Sequence, residues 1–254
     1  MRQLKPLKQI KKNKSLFILY HLDMNFTDRM IVLLRQNFRE RDRMVCAYTL
    51  EHGRVALRFP GVNRADSKLK ALSEPFAQSC ARIYIRRNAS VGCVTGGKLE
   101  TVYPEIRKDF SKTQTAAYFC ELFYRLTPDY NPNPEKFRLL ENALSEINSA
   151  PLNQAVAPAF LLRLMQLSGF GLAGRAVLGI DEEFWNAMHE LPLSSLNFLT
   201  NRDVINLNKT RYVCKRFLNR YLAYPLHTID QLELTAPIMI EEAMQETALE
   251  PVLA

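Results

Sequence analysis

The chain has 254 residues, of which 47% are hydrophobic and 24% charged, and its formal net charge is +8. This length can bury a substantial core, and we expect two domains of ordinary size. The sequence has no run of about 18 apolar residues, which argues against a membrane-spanning helix. The apolar run at residues 16–22 is short, contains a histidine and lacks a small-residue cleavage site, so secretion is not expected.

Positive charge is concentrated in the first 100 residues, which hold 20 Lys and Arg against 8 Asp and Glu. The remaining residues hold 14 basic and 18 acidic side chains, so the two parts carry +12 and −4. Residues 30–100 alone carry +7. Such a field suits a polyanion such as nucleic acid, although a basic face also serves solubility alone.

The residue types that carry out catalysis are not arranged in any familiar pattern. Gly96-Gly97-Lys98 lacks the spacing of a phosphate-binding loop, His189-Glu190 is not an H-E-x-x-H pair, and no G-x-S-x-G is present. The five cysteines, at positions 46, 80, 93, 120 and 214, are dispersed. This set is typical of reduced thiols in a cytoplasmic protein. We therefore expect a protein that is not an enzyme.

Alternating apolar residues predict five short strands in the first part of the chain. The predicted strands are Met30–Phe38, Met44–Thr49, Arg54–Phe59, Gln78–Arg87 and Val91–Tyr103. A segment that could form a short helix, Ser67–Leu72, lies between the third and fourth strands. Five strands with a helical segment at this place have the order of an OB barrel.

From residue 105 onward, the period of apolar residues becomes helical. Phe110, Ala117 and Tyr124 predict a buried helix that ends before Pro128, and Asn133 with Pro134 predicts the start of the next. Further helices are predicted at Ala159–Ser168, Asp181–His189, Leu193–Leu199, Arg202–Leu207 and Asn208–Tyr224. Gly169 is the predicted stop of the first of these. In the last, Val213, Phe217, Tyr221 and Tyr224 are predicted to face inward. The predicted fold class is α+β, with an N-terminal five-stranded OB-fold barrel followed by an all-α domain.

Three stretches together resemble a known family. They are MIVLLRQNFRERDRMVCAYTLEHGRV from Met30, GVNRADSKLKAL from Gly61, and Glu74-Pro75-Phe76. In their order and spacing, they resemble the bacterial recombination mediator family RecO over about residues 28–230. The resemblance implies a protein that binds single- and double-stranded DNA, anneals complementary strands and, with RecR, helps RecA to load onto DNA coated with single-strand-binding protein during repair. It also implies a cytoplasmic, nucleoid-associated location.

Combined with this resemblance, the sequence divides into four parts. Residues 1–26 are predicted to be a basic, disordered arm, residues 27–104 an OB-fold DNA-binding domain, residues 105–230 a helical domain, and residues 231–254 an acidic tail. Some RecO-like proteins carry a zinc-binding cysteine cluster after the helix that here reads FLLRLMQLSGFG. This chain has no cysteine between Cys120 and Cys214, so we predict no zinc and no other cofactor.

Phosphate binding needs several cations on one surface, and the barrel supplies candidates. The predicted DNA-binding residues are Arg35, Arg39, Arg41, Arg43, Arg58, Arg64, Lys68 and Lys70. The alternative is that they form only a solvated face. Arg54, Arg82, Arg86 and Arg87 are weaker candidates. Tyr48, Phe59 and Tyr84 could stack on bases, but barrel core is the default reading for each.

A second group of cations belongs to the helical half. In RecO-like proteins, the helical domain engages the acidic, hydrophobic carboxyl tail of single-strand-binding protein. Arg163, Lys215, Arg216 and Arg220, beside Leu164, Phe217 and Tyr221, have the chemistry for such a groove and are the predicted partner-binding residues. Two rival hypotheses remain open: a generic single-strand-binding OB module, and an adaptor that binds partners but does not anneal DNA.

Overall fold

The computed structural model describes residues 23–170 and 180–228. Five strands form a closed barrel in the order β1-β2-β3-β5-β4. They are β1 (Met24–Phe38), β2 (Asp42–Thr49), β3 (Gly53–Phe59), β4 (Gln78–Ile85) and β5 (Val91–Thr101). All neighbours are antiparallel except β3 and β5. This strand order is that of an OB barrel, so the predicted fold class is confirmed.

The barrel interior follows the alternation in the sequence. Val55, Leu57 and Phe59 of β3 point into the core with Ile83 of β4 and Val94 of β5. Between β3 and β4, only Ala71–Ser73 form a helical turn, of 3-10 type. The helix predicted at Ser67–Leu72 is therefore wrong in length, because the preceding residues form successive turns instead.

The first strand begins six residues earlier than predicted, at Met24, where it pairs with Ile85 of β4. Residues 24–26, which are part of the predicted arm, therefore belong to the barrel. The polar residues Asn25, Thr27 and Asp28 hide this strand in the sequence. Asp28 is buried, and its partners offset the lost hydration: its carboxylate accepts a hydrogen bond from the backbone N–H of Glu51 and lies 2.8 Å from Nδ1 of His52.

The helical part contains six α-helices in the described residues. They are α1 (Pro104–Lys108), α2 (Phe110–Leu126), α3 (Pro134–Ser149), α4 (Val156–Leu167), α5 (Glu182–Glu190) and α6 (Asn201–Tyr221), with a 3-10 helix at Leu193–Phe198. Asn133 caps α3 as predicted, through hydrogen bonds from the backbone N–H groups of Glu135 and Lys136. Gly169 follows α4 with φ of +79°, which is the left-handed stop that its sequence predicted.

Three predictions about the helices are wrong. Residues 201–221 form one helix rather than two, started by a capping box between Thr200 and Asp203. The buried side of α6 carries Leu207, Cys214 and Leu218, whereas Tyr221 and Tyr224 are exposed. In α2, Phe110 is also exposed, because the buried stripe runs through Tyr118, Phe119, Leu122 and Phe123 instead.

Barrel and helices share one hydrophobic core. A bulge in β1 lies between Val32 and Leu34. Met30 and Val32 point into the barrel, whereas Ile31 and Leu33 join the core of the helices. Tyr48 of β2 also points outward, and its ring packs edge-on against Phe123 of α2 at 5.2 Å between centroids. The helices therefore pack directly on the outer wall formed by β1 and β2.

Polar contacts fasten the same junction. Arg29 of β1 donates to Glu100 of β5 at 3.0 Å and to Glu141 of α3 at 2.7 Å. On the other side, Arg54 of β3 contacts Asp129 at 2.6 Å. These two arginines therefore hold the barrel to the helices.

Candidate nucleic-acid interface

One end of the barrel is built from two chain segments that are tied together. These are the turn between β1 and β2, residues 39–41, and the loop after β3, residues 60–74. The backbone N–H of Asn63 donates to the carbonyl of Arg41 at 3.0 Å. The backbone N–H of Gly61 donates to the carboxylate of Asp42 at 2.8 Å. Gly61 has φ of +64°, which suits a glycine at this sharp turn.

Arg43 lies at the centre of this end and is only 7% exposed. Its guanidinium donates to Asn63 Oδ1 at 2.9 Å, to Ser73 Oγ at 2.9 Å and to Glu74 Oε1 at 2.8 Å. A buried cation needs partners of this kind to repay its lost hydration. Arg43 was predicted as a DNA-binding cation, but its guanidinium is enclosed and occupied. Its place in the structure is that of a tie between the loop and β2.

The other seven predicted cations remain accessible and surround this tie. Arg35 has a side chain 38% exposed, and it shares the Glu74 carboxylate with Arg43 at 3.0 Å. Arg58 on the outer side of β3 has a side chain 42% exposed and lies 3.7 Å from Asp42. Arg39, Arg41, Arg64, Lys68 and Lys70 are also exposed. The structure therefore brings the seven to one end of the barrel, and we call them the cationic end.

The geometry at this end leaves most of the charge free. Arg39 adopts φ of +57° and its guanidinium lies 5.1 Å from the ring of Phe38, an exposed contact at the tip of the turn. Arg64 lies beside Gly61. Asp42 and Glu74 are the carboxylates that ion-pair within the group, with Arg58 and with Arg35 and Arg43. A surface with more cations than carboxylates attracts phosphate groups.

The three aromatic candidates for base stacking differ in burial. Phe59 is fully buried in the barrel core, as the default reading predicted. Tyr48 is also fully buried, but the prediction of barrel core is wrong for it, because its ring lies outside the barrel in the core of the helices. Burial raises the pKa of Tyr48 to about 12. Tyr84 is different, because it stands half-exposed on the outer face of β4. Of the three, Tyr84 is the one that a base could reach.

A cleft that the sequence did not reveal lies where the barrel meets α2. It has a volume of about 460 Å³, and its lining includes Leu34, Phe76 and Tyr124. Arg35 and Arg125 are charged residues of the same lining. Leu34 and Tyr124 are partly exposed, at 38% and 39%. Residues 30–34 are five apolar residues in succession, so the sequence shows neither the bulge at Val32 to Leu34 nor the cleft beside it.

The predicted partner-binding cations do not all lie on one surface. Arg163 is half-buried and donates to the carbonyl of His189 at 3.1 Å, and burial lowers its pKa. Arg216 and Arg220 are exposed on α6, and Lys215 is half-buried there. Leu164 is fully buried, so it is core rather than groove lining.

An aromatic cluster lies beside the exposed part of α6. Phe217 and Tyr221 pack together at 4.2 Å between ring centroids, and Phe170 packs against Tyr221 at 4.9 Å. The cluster therefore joins α6 to the chain just after α4. Arg216 and Arg220 are the predicted cations on the same helix.

Among residues 23–170 and 180–228, no three His, Cys, Asp or Glu side chains gather as metal ligands would. The cysteines are free thiols. No helix in these ranges is long and apolar enough to cross a membrane. The predicted arm, up to residue 22, and the acidic tail lie outside the described residues.

The fold and this interface define a class: an OB barrel with a cationic end, joined through a shared core to a helical domain. Comparison with protein families agrees with it. Residues 24–103 match the family model described as recombination protein O N terminal, and residues 107–176 match the one described as recombination protein O C terminal. The chain belongs to the RecO family.

Similar proteins carry the same family name. The chain is 30% identical over 154 residues to a DNA repair protein RecO of Geobacter sulfurreducens, covering 61% of this chain and 63% of the relative. It is 35% identical over 118 residues to that of Geobacter metallireducens, covering 46% and 48%. It is 28% identical over 144 residues to that of Bacillus subtilis, covering 57% and 54%. The matches thus span about half to two thirds of the relatives' length.

Proposed function

We propose that this protein is a DNA-binding recombination mediator of RecO type, without catalytic activity, which binds single- and double-stranded DNA at the cationic end. The observation that carries the proposal is the convergence of seven accessible cations around the buried tie made by Arg43. Two separate stretches of the chain, residues 35–41 and 58–70, supply them, and Arg43 ties the two stretches together. A surface whose backbone is already fixed binds a phosphate backbone at a lower ordering cost.

The same surface suits strand annealing. Two complementary strands repel each other through their phosphates, and a polycation that screens both backbones lowers this repulsion. The bases must stay free to pair, and contacts made through phosphates leave base edges free. The cationic end consists of arginine and lysine, which are phosphate-binding side chains. We propose that it promotes annealing in this way.

Partner binding is the further part of the proposal. With RecR, the protein would help RecA to load onto DNA coated with single-strand-binding protein. The aromatic cluster of Phe170, Phe217 and Tyr221, with Arg216 and Arg220 on the same helix, is the candidate site for the acidic, hydrophobic tail of single-strand-binding protein. Arg163 is withdrawn from the site, because its guanidinium is half-buried toward α5. A cytoplasmic, nucleoid-associated location is part of the same proposal.

Annealing of complementary strands precoated with single-strand-binding protein tests the function. We expect the protein to accelerate annealing. Its affinity for short DNA should fall with salt, and the slope of log affinity against log salt should correspond to roughly 3 to 6 phosphate contacts at ~0.7 to 0.9 per contact. Replacing Arg64, Lys68 and Lys70 together with Ala should flatten that slope by up to ~2 to 3 units and slow annealing.

A matched control separates position from charge. Arg107, Lys108 and Arg138 are exposed cations on the helical part, and their replacement with Ala removes the same charge. We expect this variant to keep the parent's slope. If the salt slope of the unmodified protein is near zero, DNA is not its ligand. Binding without annealing would favour the generic single-strand-binding module, and partner binding without DNA affinity would favour the adaptor.

A further inference from the structure

A second exposed surface adjoins the cationic end on the outer wall of the barrel. Strand register places Arg58 of β3 beside Cys93 of β5, and Cys93 beside Tyr84 of β4. Paired residues in a sheet point to the same face, and two strand spacings separate Arg58 from Tyr84 by roughly 10 Å. The surface around Tyr84 is therefore continuous with the cationic end through Arg58.

Cations surround Tyr84 on this face. Arg82 lies two residues earlier on β4, opposite Gly96, and Lys98 follows on β5 opposite Cys80. A methyl group built on Gly96 would lie 2.7 Å from the Arg82 guanidinium, so the absence of a side chain there lets the guanidinium lie across the sheet. Arg86 and Arg87 follow at the turn after β4. These four cations are all exposed.

Tyr84 itself is held in place. Its hydroxyl donates to the Asp23 carboxylate, which also accepts from the backbone N–H of Arg87 at 2.7 Å. Asp23 is the acidic group at this end of the face, and Glu100 at the far end is paired with Arg29. A fixed aromatic ring among exposed cations, on the outer face of a barrel, is an arrangement with which proteins bind single-stranded nucleic acid, through base stacking and phosphate contacts.

We infer that a single strand of DNA continues from the cationic end onto this face, where one base stacks on Tyr84 and Arg82 contacts a phosphate. The inference rests on the proposed DNA binding and adds selectivity to it. Bases in a duplex are stacked on one another and are not free to stack on a side chain of the barrel wall. Tyr84 therefore favours single strands, whereas the cationic end binds both forms.

Fluorescence anisotropy with a ~15-nucleotide thymine oligonucleotide and with a duplex of similar length tests this. Stacking is worth ~1–3 kcal/mol per base, so Tyr84→Ala should weaken single-strand binding by ~5- to 150-fold and leave duplex binding within about 2-fold. Tyr84→Phe keeps the ring but loses the contact with Asp23, and it should bind like the parent. Arg82→Ala should weaken single-strand binding and lower its salt slope by ~0.7.

The outcomes distinguish this inference from the proposed function. If Tyr84→Ala binds single strands like the parent, while the variant of Arg64, Lys68 and Lys70 loses affinity, the stacking site is refuted and DNA binding stands. Equal losses on single strands and duplex would also refute it, as would a loss in Tyr84→Phe equal to that in Tyr84→Ala. If the parent binds neither DNA, both proposals fail. Circular dichroism melting checks that each variant is folded.

Discussion

Arg43 offers a direct test of whether the cationic end is built around a structural arginine. Arg43→Met keeps the length of the side chain but removes its charge and its three hydrogen bonds to Asn63, Ser73 and Glu74. Breaking a buried ion pair costs about 3–5 kcal/mol. Two partners keep other contacts, because Glu74 still binds Arg35 and Ser73 Oγ still donates to the Lys70 carbonyl at 2.8 Å. We therefore expect the free energy of unfolding to fall by about 3 kcal/mol.

Urea unfolding followed by circular dichroism measures this loss, with Arg41→Met as the control. Arg41 is exposed two residues away, and its replacement should change stability by no more than about 0.5 kcal/mol. DNA binding supplies a second measurement. A structural Arg43 predicts that the variant loses affinity but keeps the parent's salt slope, whereas a phosphate-binding Arg43 predicts a slope lower by ~0.7 to 0.9. Equal stability of parent and variant would refute the reasoning.

Three further predictions concern the remainder of the molecule. Gly53→Ala should destabilise the protein by about 2–4 kcal/mol, because Gly53 has φ of +71° and a Cβ would lie 2.6 Å from the backbone of Asn131. Gly169→Ala is its control, since φ of +79° is strained but nothing lies within 4 Å, and it should cost only about 1 kcal/mol in the same urea experiment. Burial raises the pKa of the Cys214 thiol from 9.0 to about 12. As pH rises, the unfolded state releases this proton before the folded state does. The stability that the protonated thiol contributes is therefore complete below about pH 9 and is lost as pH rises toward 12. Cys214→Ala should make the alkaline loss of stability less steep, by up to ~1.4 kcal/mol per pH unit, and an unchanged slope would contradict the burial argument. Metal analysis of purified protein should find no stoichiometric zinc, since the cysteines are dispersed, and one zinc per chain would show this prediction to be wrong.

The elements that sequence could predict are those whose signal is local. β3 was found because its alternation is uninterrupted, and the start of α3 because Asn133 and Pro134 are a start signal by themselves. The start of β1 was missed because residues 24–29 are stabilised by pairing with β4 rather than by their own pattern. The inward face of α6 was misassigned because tyrosine is apolar along most of its length but is satisfied at the surface.

In the candidate site, the sequence cannot show which arginines are structural and which are free to bind DNA. Nothing in the sequence separates Arg43 from Arg41, since both lie in one basic run. Strand register decides between them: Arg43 pairs with Phe59 at the barrel end, beneath the loop that carries Ser73 and Glu74. Arg54 likewise lies in the alternating strand with Arg58 but is used to bind the helices. A count of cations therefore overstates the charge available to DNA, because several of them build the fold.

Strand β1 connects the separate parts of this molecule physically. Its first residues pair with β4 beside Tyr84, its bulge places Ile31 and Leu33 in the core of the helices, and Arg35 near its end belongs to the cationic end. A packed core transmits displacement rather than absorbing it. DNA bound at the barrel and a partner bound on the helices would therefore be held at a fixed separation, without a hinge at this junction. In the proposed role, in which the protein binds DNA and a DNA-bound protein together, a fixed geometry would make the second contact intramolecular once the first has formed.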